Sequence, residues 1–516
     1  MRTLHLALLA ALAAWLCGCA SLPPLTGRTA SSALPDKTPT RLGQGIVPAT
    51  AAHPGRTGIL PLTDPGDAFA ARVVLAAAAD RSLDVQYYIW HDDTTGALLL
   101  DALHQAAERG VRVRLLLDDN GTVGIDAMLA ALATQPNFEV RLYNPYAQRQ
   151  ARVLGLLGDF DRVNRRMHNK SFTADNLATI VGGRNVGDEY FGAGNAVVFA
   201  DLDVLAIGPV VAEVSREFDL YWNSASAYPV ASLVPAPPPA SAQALLAGLR
   251  EAPARPEAKD YVERVRAEPF VPALIAGSLP LEWTAARVIY DDPAKTLDPD
   301  LAGDHLLLSS LLPTIGSARS RFDLVSPYFV PGADGTAALV ALARSGVEVR
   351  VLTNSLAASD VAAVHAGYAK WRVELLRGGV RLYEFKPSAA AEATRAGRRG
   401  FAGSSSAALH AKTFAVDAER IFVGSFNFDP RSARLNTEMG MVLDSPHLAG
   451  NLEQAFDTEI RLAAYEVVLD PQGNGVVWIE RMPTGEELRH TTEPDTSWWL
   501  RSGVGILSVL PIDWLL

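Results

Sequence analysis

The sequence has little cysteine, no excess of positive charge and no long hydrophobic run at either end. Only two of its 516 residues are cysteines, Cys17 and Cys19, and both lie near the amino terminus. Disulfide bonds therefore cannot stabilise the rest of the chain. The formal net charge is −11, which argues against a nucleic-acid partner because nonspecific DNA binding depends on clustered positive charge. The apolar runs at both ends are shorter than the roughly 20 residues that a membrane-spanning helix needs.

The amino terminus has the pattern of a secretory signal. Arg2 precedes an apolar run from Leu4 to Leu16 that only His5 interrupts, and this pattern indicates a leader that is removed. The run ends in Leu-Cys-Gly-Cys, which resembles a bacterial lipobox. That resemblance implies cleavage before Cys19 and lipidation of this cysteine. The alternative is an ordinary signal with two incidental cysteines.

Lipidation of Cys19 would make the protein a membrane-anchored lipoprotein of the bacterial cell envelope, facing the periplasm. Ala20 follows the cysteine, and the absence of Asp at this position resembles the outer-membrane lipoproteins of Gram-negative bacteria. Residues 1–18 are then the lipoprotein signal peptide. Residues 19–60 are rich in Pro, Ser, Thr and Gly, so we expect a flexible tether there.

The remaining chain has the composition of a globular protein. It is 49% hydrophobic and 20% charged, and it is long enough for two domains with complete cores. Predicted strands alternate with segments of helical periodicity, and the same order occurs twice. Such alternation predicts parallel strands covered by helices. The predicted strands are 83–89, 111–117, 138–143, 321–330, 347–353 and 380–385.

We therefore predict an α/β fold with two tandem α/β domains, residues 61–230 and 301–470, packed with pseudo-twofold symmetry. Residues 231–300, which include a Pro-rich stretch at 234–241, form the connector. Residues 471–516 form a carboxyl-terminal tail in which Trp498 and Trp499 precede an apolar segment. This tail is either a membrane-interfacial segment or a segment packed on its own domain.

One motif occurs in both predicted domains. It consists of histidine, any residue, lysine, four further residues and aspartate, and its copies start 242 residues apart. The two copies are His168, Lys170 and Asp175, and His410, Lys412 and Asp417. In each copy the sequence predicts a strand, a hairpin turn and a returning strand. The returning strand leads into a Gly-containing loop with Asn185 in the first copy and Asn427 in the second.

Each copy brings an imidazole, an ammonium and an amide together, because side chains two apart on a strand share a face. Lysine is a compact phosphate-binding charge, and histidine serves as a nucleophile or general acid near neutral pH. The set therefore fits a phosphodiester. A protonated lysine cannot bind a metal ion, and we expect neither a metal nor another cofactor. A single copy could be a strand with polar ends, but two copies with matching flanks argue against this.

The segments MHNKSFTADN and IVGGRNVGDEYF resemble the phospholipase D superfamily, and more narrowly the bacterial cardiolipin synthases of the C type. The resemblance implies two phospholipase D-like domains that face each other around one phosphate, so that a monomer suffices for a complete active site. It implies that His168 attacks phosphorus and that His410 is the acid and base. The residues alone leave the two roles interchangeable. The side chains implied around the nonbridging oxygens are Lys170, Lys412, Asn185 and Asn427.

The family also places an acid behind each histidine. The matching position for His410 is Glu438. For His168 it is Asp201, and Asp203 is an alternative because residues two apart on a strand share a face. Ser425 is expected to donate a hydroxyl to the phosphate in the second copy, where the first has glycine. The motif aspartates, Asp175 and Asp417, complete the candidate catalytic set. Their position in the turns puts them off the catalytic face, so their expected role is to hold the hairpins.

The acceptor decides the reaction that the resemblance implies. With the hydroxyl of phosphatidylglycerol the product is cardiolipin, and with water it is phosphatidic acid. We expect a cardiolipin synthase-type phosphatidyltransferase that works through a phosphohistidine on membrane phospholipids, with phosphatidylglycerol and phosphatidylethanolamine as its expected lipids. The alternatives are a hydrolytic phospholipase D, a nuclease or other phosphodiesterase, and a noncatalytic lipid-binding lipoprotein.

Overall fold

The computed structural model describes residues 21–25, 28–34, 39–149, 152, 159–194, 198–359, 361–387, 406–473 and 475–508. The predicted signal peptide, Cys19 and the last eight residues lie outside this range. The described part is an α/β protein with two large mixed sheets flanked by helices. The predicted fold class is therefore confirmed.

The first half of the chain forms a nine-stranded sheet. Its strands are β1 (Thr57–Leu62), β2 (Ser82–Ile89), β3 (Arg112–Gly121), β4 (Phe138–Tyr143), β5 (Ser171–Ala174), β6 (Ala178–Gly182), β8 (Asp203–Ile207), β9 (Ala227–Pro229) and β10 (Glu282–Thr284). They lie in the order β10-β1-β8-β6-β5-β2-β3-β4-β9. Strands β2, β3 and β4 are parallel, as the helical crossovers between them require.

The second half forms a ten-stranded sheet. Its strands are β11 (Ala286–Tyr290), β12 (Arg321–Val325), β13 (Glu348–Asn354), β14 (Arg381–Phe385), β16 (Thr413–Val416), β17 (Arg420–Gly424), β18 (Met439–Leu443), β19 (Ala464–Leu469), β20 (Val476–Arg481) and β21 (Glu487–His490). They lie in the order β11-β18-β17-β16-β12-β13-β14-β19-β20-β21. Two further strands, β7 (Val198–Ala200) and β15 (Ser406–Leu409), pair only with each other.

The two sheets repeat the same topology. The order β1-β8-β6-β5-β2-β3-β4-β9 corresponds strand for strand to β11-β18-β17-β16-β12-β13-β14-β19. In both, the strand that follows the His-x-Lys segment pairs antiparallel with the first parallel strand. The duplication in the sequence is therefore a duplication of structure.

Helices cover the faces of the sheets. Those of the first half and the connector are α1 (Arg41–Ala52), α2 (Pro65–Ala78), α3 (Thr94–Glu108), α4 (Asp126–Leu132), α5 (Phe160–Val163), α6 (Asp188–Phe191), α7 (Pro209–Asn223), α8 (Pro239–Arg250), α9 (Pro256–Ala267) and α10 (Phe270–Ile275). Those of the second half are α11 (Leu307–Ile315), α12 (Gly332–Arg344), α13 (Ala362–Ala369), α14 (Arg372–Arg377), α15 (Pro430–Arg434), α16 (Pro446–Asp457), α17 (Glu459–Ala463) and α18 (Trp498–Ser508). None of the described helices is long and apolar enough to cross a bilayer.

The two halves share one buried hydrophobic core. Val181 and Val204 from the first sheet lie in the same cluster as Val423 and Met441 from the second, and all four are at most 1% exposed. Strand β6 packs directly on β17 and β18. Burial of apolar surface favours association, so this core holds the halves together and fixes how their motif-bearing segments meet.

Part of the segment that we expected to be a flexible tether is folded. Residues 41–52 form α1, and β1 pairs with β8 inside the first sheet. Upstream, Arg28 donates to the carbonyls of Asn223 and Ala227, and the amide of Ala33 donates to Asp219. Pro and Gly content indicated irregular backbone, but these hydrogen bonds between side chains and backbone depend on partners about 190 residues away.

Other boundaries also differ from those predicted. The connector contributes β10 to the first sheet and β11 to the second, and the predicted tail contributes β20 and β21 to the second. Two short helices, α13 and α14, connect β13 to β14. The chain turns between them, and Arg372 at the start of α14 pairs with the buried Glu384 and with Glu493.

Candidate active site

The hairpin turn after each His-x-Lys segment has the backbone conformation that a two-residue turn needs. Asp175 and Asn176 have φ of 53° and 53°, and Asp417 and Ala418 have 55° and 52°. Positive φ at both central positions matches the twist of the flanking strands. The predicted hairpins are present, as β5 with β6 and β16 with β17.

The motif aspartates hold the start of the first parallel strand in each sheet. Asp175 accepts hydrogen bonds from the amides of residues 80 to 82, at 2.8 to 3.0 Å. Asp417 accepts from the amides of Arg319, Ser320 and Arg321, at 2.8 to 3.1 Å. The structure does not bring these carboxylates to the histidines, so the candidate catalytic set is corrected to exclude them. The alternation of side chains along a strand had already predicted that these aspartates lie off the catalytic face.

Asp417→Ala is expected to lower the unfolding midpoint by several degrees. Hydrogen bonds to a charged group contribute about 1.5–3 kcal/mol each, and about 1 kcal/mol shifts the midpoint of a domain of this size by roughly 2–4 °C. Calorimetry of the variant beside Glu419→Ala, an exposed acid in the same turn, tests this. An unchanged midpoint with lost turnover would mean that the carboxylate acts in the chemistry.

Backbone pairing between the halves brings each histidine to the other domain. Strand β15 pairs in parallel with β7, with Leu409 opposite Ala200. Met167 forms the corresponding parallel bridge with Thr437. The amide of His168 donates to the carbonyl of Thr437, and that of His410 to the carbonyl of Ala200, both at 2.8 Å. In both cases the next residue on the partner segment is an acid.

The carboxylate partners of the two histidines are exchanged between the domains. His168 Nδ1 lies 2.8 Å from Glu438 Oε2, and His410 Nδ1 lies 2.5 Å from Asp201 Oδ2. The same-domain assignment that we made from the sequence is therefore wrong. The crossed backbone pairing is the cause, because it aligns 168 with 438 and 410 with 201. Asp203, the alternative, is bound to Arg72 and Arg184 instead.

The two lysines lie beside the histidines and are almost fully buried. Lys170 Nζ donates to the carbonyl of His168, and Lys412 Nζ to that of His410, both at 2.5 Å. Lys412 Nζ is also 3.3 Å from Nε2 of His410. Burial lowers the pKa of Lys170 well below its ordinary value, and repulsion from Lys412 adds to this while Glu438 opposes it. Both ammonium groups act electrostatically on both histidines.

The electrostatic environments of the two histidines differ. Burial, followed by repulsion from Lys170 and Lys412, lowers the pKa of His168 well below its ordinary value. Burial and Lys412 also lower the pKa of His410, but Asp201 opposes this shift. Their carboxylate partners differ as well. Burial raises the pKa of Glu438 to about 7. Burial also disfavours the charged form of Asp201, but His410 and Lys412 outweigh it and the pKa lies well below the ordinary value.

The loop residues are placed less symmetrically than the sequence suggested. Ser425 donates to Glu438 and is fully buried, so its hydroxyl is already engaged rather than free to donate to a phosphate as we expected. In the first half a Cβ at Gly183 would lie 2.1 Å from Asp201 Oδ1, which is why only glycine fits there. The Asn185 amide donates to Tyr190 and its oxygen accepts from the amide of residue 89. Asn427 is 4% exposed, and its Oδ1 is buried without a hydrogen-bond partner among the described residues.

Several residues that we did not assign from the sequence complete the walls of the site. The ring of Tyr88 stands edge-on to the ring of His168, with 5.0 Å between the ring centroids. The ring centroids of Tyr190 and Phe199 lie 5.1 and 5.2 Å from that of His410. Asp118 is completely buried; it pairs with Arg166 and accepts from the amide of Met167 at 2.7 Å. Its position at the carboxyl end of a parallel strand was the signal that could have identified it.

The duplicated sheets, with two crossed His–carboxylate pairs and two buried lysines between them, define a protein of the phospholipase D class. The family model described as "Cardiolipin synthase, PLD-like domain" matches residues 74–222 and 311–460. The chain belongs to this family.

Relatives of known name agree with this assignment. The chain is 48% identical to cardiolipin synthase C of Escherichia coli over 92% of this chain and all of the relative. It is 28% identical to cardiolipin synthase A of Pseudomonas entomophila over 77% of this chain and 67% of the relative. A phosphatidylserine synthase from Haemophilus influenzae has a similar fold, with a TM-score of 0.56 at 13% identity over 89% of this chain and 95% of that one.

Proposed function

We propose that this protein is a cardiolipin synthase-type phosphatidyltransferase, an enzyme that moves a phosphatidyl group between phospholipids. The observation that carries the proposal is the pair of intact His-Lys sets that face each other across the two domains. The 48% identity to cardiolipin synthase C over 92% of the chain supports the same reaction. Phosphatidylglycerol is the proposed acceptor, and phosphatidylglycerol or phosphatidylethanolamine the donor.

In the first half-reaction His168 attacks the phosphorus of the donor with the ring nitrogen that does not face Glu438. The bond from phosphorus to the headgroup oxygen breaks as the phosphorus–nitrogen bond forms. His410 gives its proton to the departing headgroup alcohol. Lys170 and Lys412 stabilise the charge on the nonbridging oxygens in the pentacoordinate transition state. The product is a phosphatidyl-histidine and a free alcohol.

The second half-reaction runs in reverse with a different alcohol. His410, now neutral, removes the proton of the acceptor hydroxyl. The resulting oxygen attacks phosphorus, the phosphorus–nitrogen bond breaks, and His168 regains its lone pair. With phosphatidylglycerol as acceptor the product is cardiolipin.

The electrostatics support this assignment of the two histidines. A nucleophile must be neutral, and burial together with Lys170 and Lys412 lowers the pKa of His168, which favours its neutral form. A general acid must carry a proton. Asp201, held in its charged form, favours the protonated state of His410. The surroundings of the two histidines therefore differ, and the difference favours His168 as the nucleophile and His410 as the acid and base.

Lipid mass spectrometry of the purified protein tests the reaction. Vesicles of phosphatidylglycerol and phosphatidylethanolamine should yield cardiolipin and a released headgroup alcohol. Isotopic labelling of one lipid at a time would identify the donor. If phosphatidic acid were the only product, the enzyme would be a hydrolase rather than a transferase.

Turnover should be unchanged by a chelator, because Lys170 and Lys412 supply the positive charge that stabilises the phosphate oxygens, a role that metal ions have in metal-dependent enzymes. The measurement is the rate with and without EDTA. His91, Asp93 and Glu189 lie close enough to bind an ion, with ligand atoms within 4.8 Å of one another. If EDTA abolished turnover, zinc or magnesium restored it, and Glu189→Gln removed that rescue, the metal-free mechanism would be wrong.

We also propose that Cys19 carries the lipid that anchors the protein in the outer membrane. The lipobox-like Leu16-Cys17-Gly18-Cys19 and the absence of Asp after it support this. Cys19→Ser is expected to remain unprocessed and to take up no radiolabelled palmitate, whereas Cys17→Ser is processed and labelled normally. Equal labelling of Cys19→Ser and the unmodified protein would exclude lipidation at this residue.

A further inference from the structure

Helix α18 is fixed to the second domain by one of its faces. Val504, which is 6% exposed, packs against Leu356 and against Ala366 of α13. The segment before the helix is held by polar contacts: Glu493 accepts from Arg372 at 2.6 Å, and Asp495 accepts from a tyrosine hydroxyl at 2.6 Å. The helix therefore has a defined orientation relative to the sheet.

The opposite face of α18 is apolar and exposed. Trp498, Trp499 and Ile506 are 54%, 69% and 66% exposed. At 3.6 residues per turn, positions 498, 499 and 506 lie within about 100° of one another around the helix. They point away from Val504, and the exposed Ser502 lies between them. The two indole rings are stacked, with centroids 3.4 Å apart. Contiguous exposed apolar surface of this kind indicates an interaction site.

The helix packs on the chain just beyond the carboxyl end of β13. Leu356, on which Val504 packs, is two residues beyond Asn354, the last residue of β13. Asn354 donates to the carbonyl of Leu409 at 3.0 Å and accepts from its amide at 3.1 Å. Leu409 directly precedes His410. A surface that contacts α18 is therefore next to the segment that positions this histidine.

The chemistry of the exposed face fits a lipid surface. Residues 498–508 contain one charge, Arg501, which donates to the carbonyl of Thr496 at 2.6 Å, and no acid. Tryptophan is the side chain most typical of the headgroup region of a bilayer. The sequence continues with Val-Leu-Pro-Ile-Asp-Trp-Leu-Leu, which adds more apolar residues and another tryptophan at the end of the chain.

We propose that α18 is a membrane-interface anchor that inserts Trp498, Trp499 and Ile506 into the headgroup region of a phospholipid bilayer. In this position it sets the active-site edge of the second domain against the lipid surface. The proposal rests on the proposed function in that the site then acts on lipids drawn from the same bilayer. A lipid on Cys19 would keep the protein near a membrane, whereas α18, being fixed to the domain, determines the orientation of the site.

The test uses the full-length protein and vesicles of phosphatidylglycerol and phosphatidylethanolamine whose acyl chains carry bromine, which quenches nearby tryptophans. We expect vesicles to quench the unmodified protein and to quench the Trp498→Ser/Trp499→Ser variant at least twofold less. A variant with Val47→Ser and Leu312→Ser, each 54% exposed and on other helices, should behave like the unmodified protein. Equal quenching of all three proteins would overturn the proposal. It would also be overturned if the control variant lost quenching to the same extent as the tryptophan variant.

Kinetics separate this proposal from the proposed function. Turnover of vesicle lipids should fall at least about tenfold in the tryptophan variant, whereas turnover of a short-chain phosphatidylglycerol below its critical micelle concentration should change less than twofold. Equal losses on both substrates would mean that the helix supports the fold or the site rather than lipid contact. If the unmodified protein turned over neither lipid, the proposed function would fail. The quenching result would still decide whether α18 binds the membrane.

Discussion

His168→Ala is expected to abolish both the phosphoenzyme and turnover, because His168 is the proposed nucleophile that forms the covalent intermediate. His410→Ala should lose about 10²–10⁴-fold, which is the usual contribution of general acid catalysis. The alkoxide would then have to leave without a proton. The measurements are incorporation of labelled phosphatidyl groups into the denatured protein and the steady-state rate.

A substrate with an acidic leaving group distinguishes the two roles. A nitrophenyl phosphodiester needs little protonation as it leaves, so it should restore formation of the intermediate in His410→Ala but not in His168→Ala. The reverse pattern would exchange the two roles. Restoration in both variants would show that either imidazole can attack, and restoration in neither would count against a separate acid.

The second large effect concerns the exchanged carboxylates. Asp201→Asn, although in the first domain, should reproduce the defect of His410→Ala, and Glu438→Gln, in the second, should reproduce that of His168→Ala. In each variant an amide N–H can donate to Nδ1 of the histidine, which moves the ring proton to the other nitrogen. We expect Asp201→Asn to lose roughly 10²–10⁴-fold, as when a general acid and base is removed. Glu438→Gln should leave His168 in the tautomer that cannot attack phosphorus.

The nitrophenyl substrate again gives the decisive readout. It should restore intermediate formation in Asp201→Asn and leave Glu438→Gln inactive. The two variants are controls for each other, because both replace a buried carboxylate by the amide of the same size. If Glu438→Gln were the one restored, each carboxylate would serve the histidine of its own domain and the crossed pairing would have no catalytic consequence.

The sequence determined the architecture of each half and which residue types the candidate site contains. The βαβαβ alternation requires parallel strands with helical crossovers, and β2-β3-β4 and β12-β13-β14 have that arrangement. The two-residue turns at Asp175 and Asp417 were readable because a hairpin is a local structure. The two His-Lys sets were readable because the motif is contiguous, and its duplication predicted a duplicated domain.

Contacts between distant parts of the chain could be read only from the tertiary structure. Nothing in the sequence around Asp201 or Glu438 says which histidine each one meets. That pairing depends on the packing of β6 on β17 and β18 in the shared core. It also depends on the backbone pairs that join Met167 to Thr437 and Leu409 to Ala200. The hydroxyl of Ser425 was expected at the phosphate, and burial beside Glu438 gave it another acceptor.

The same distinction explains the two ends of the described chain. Residues 28–34 and 39–60, which belong to the expected tether, have a tether-like composition, but they form hydrogen bonds with the first domain. For the tail, the sequence left interfacial and packed structures open, and α18 packs one face while it exposes its tryptophans. Local propensity determines which backbone conformations a segment favours. Only the packed domain determines which of its polar and apolar groups are satisfied and which remain available to a partner.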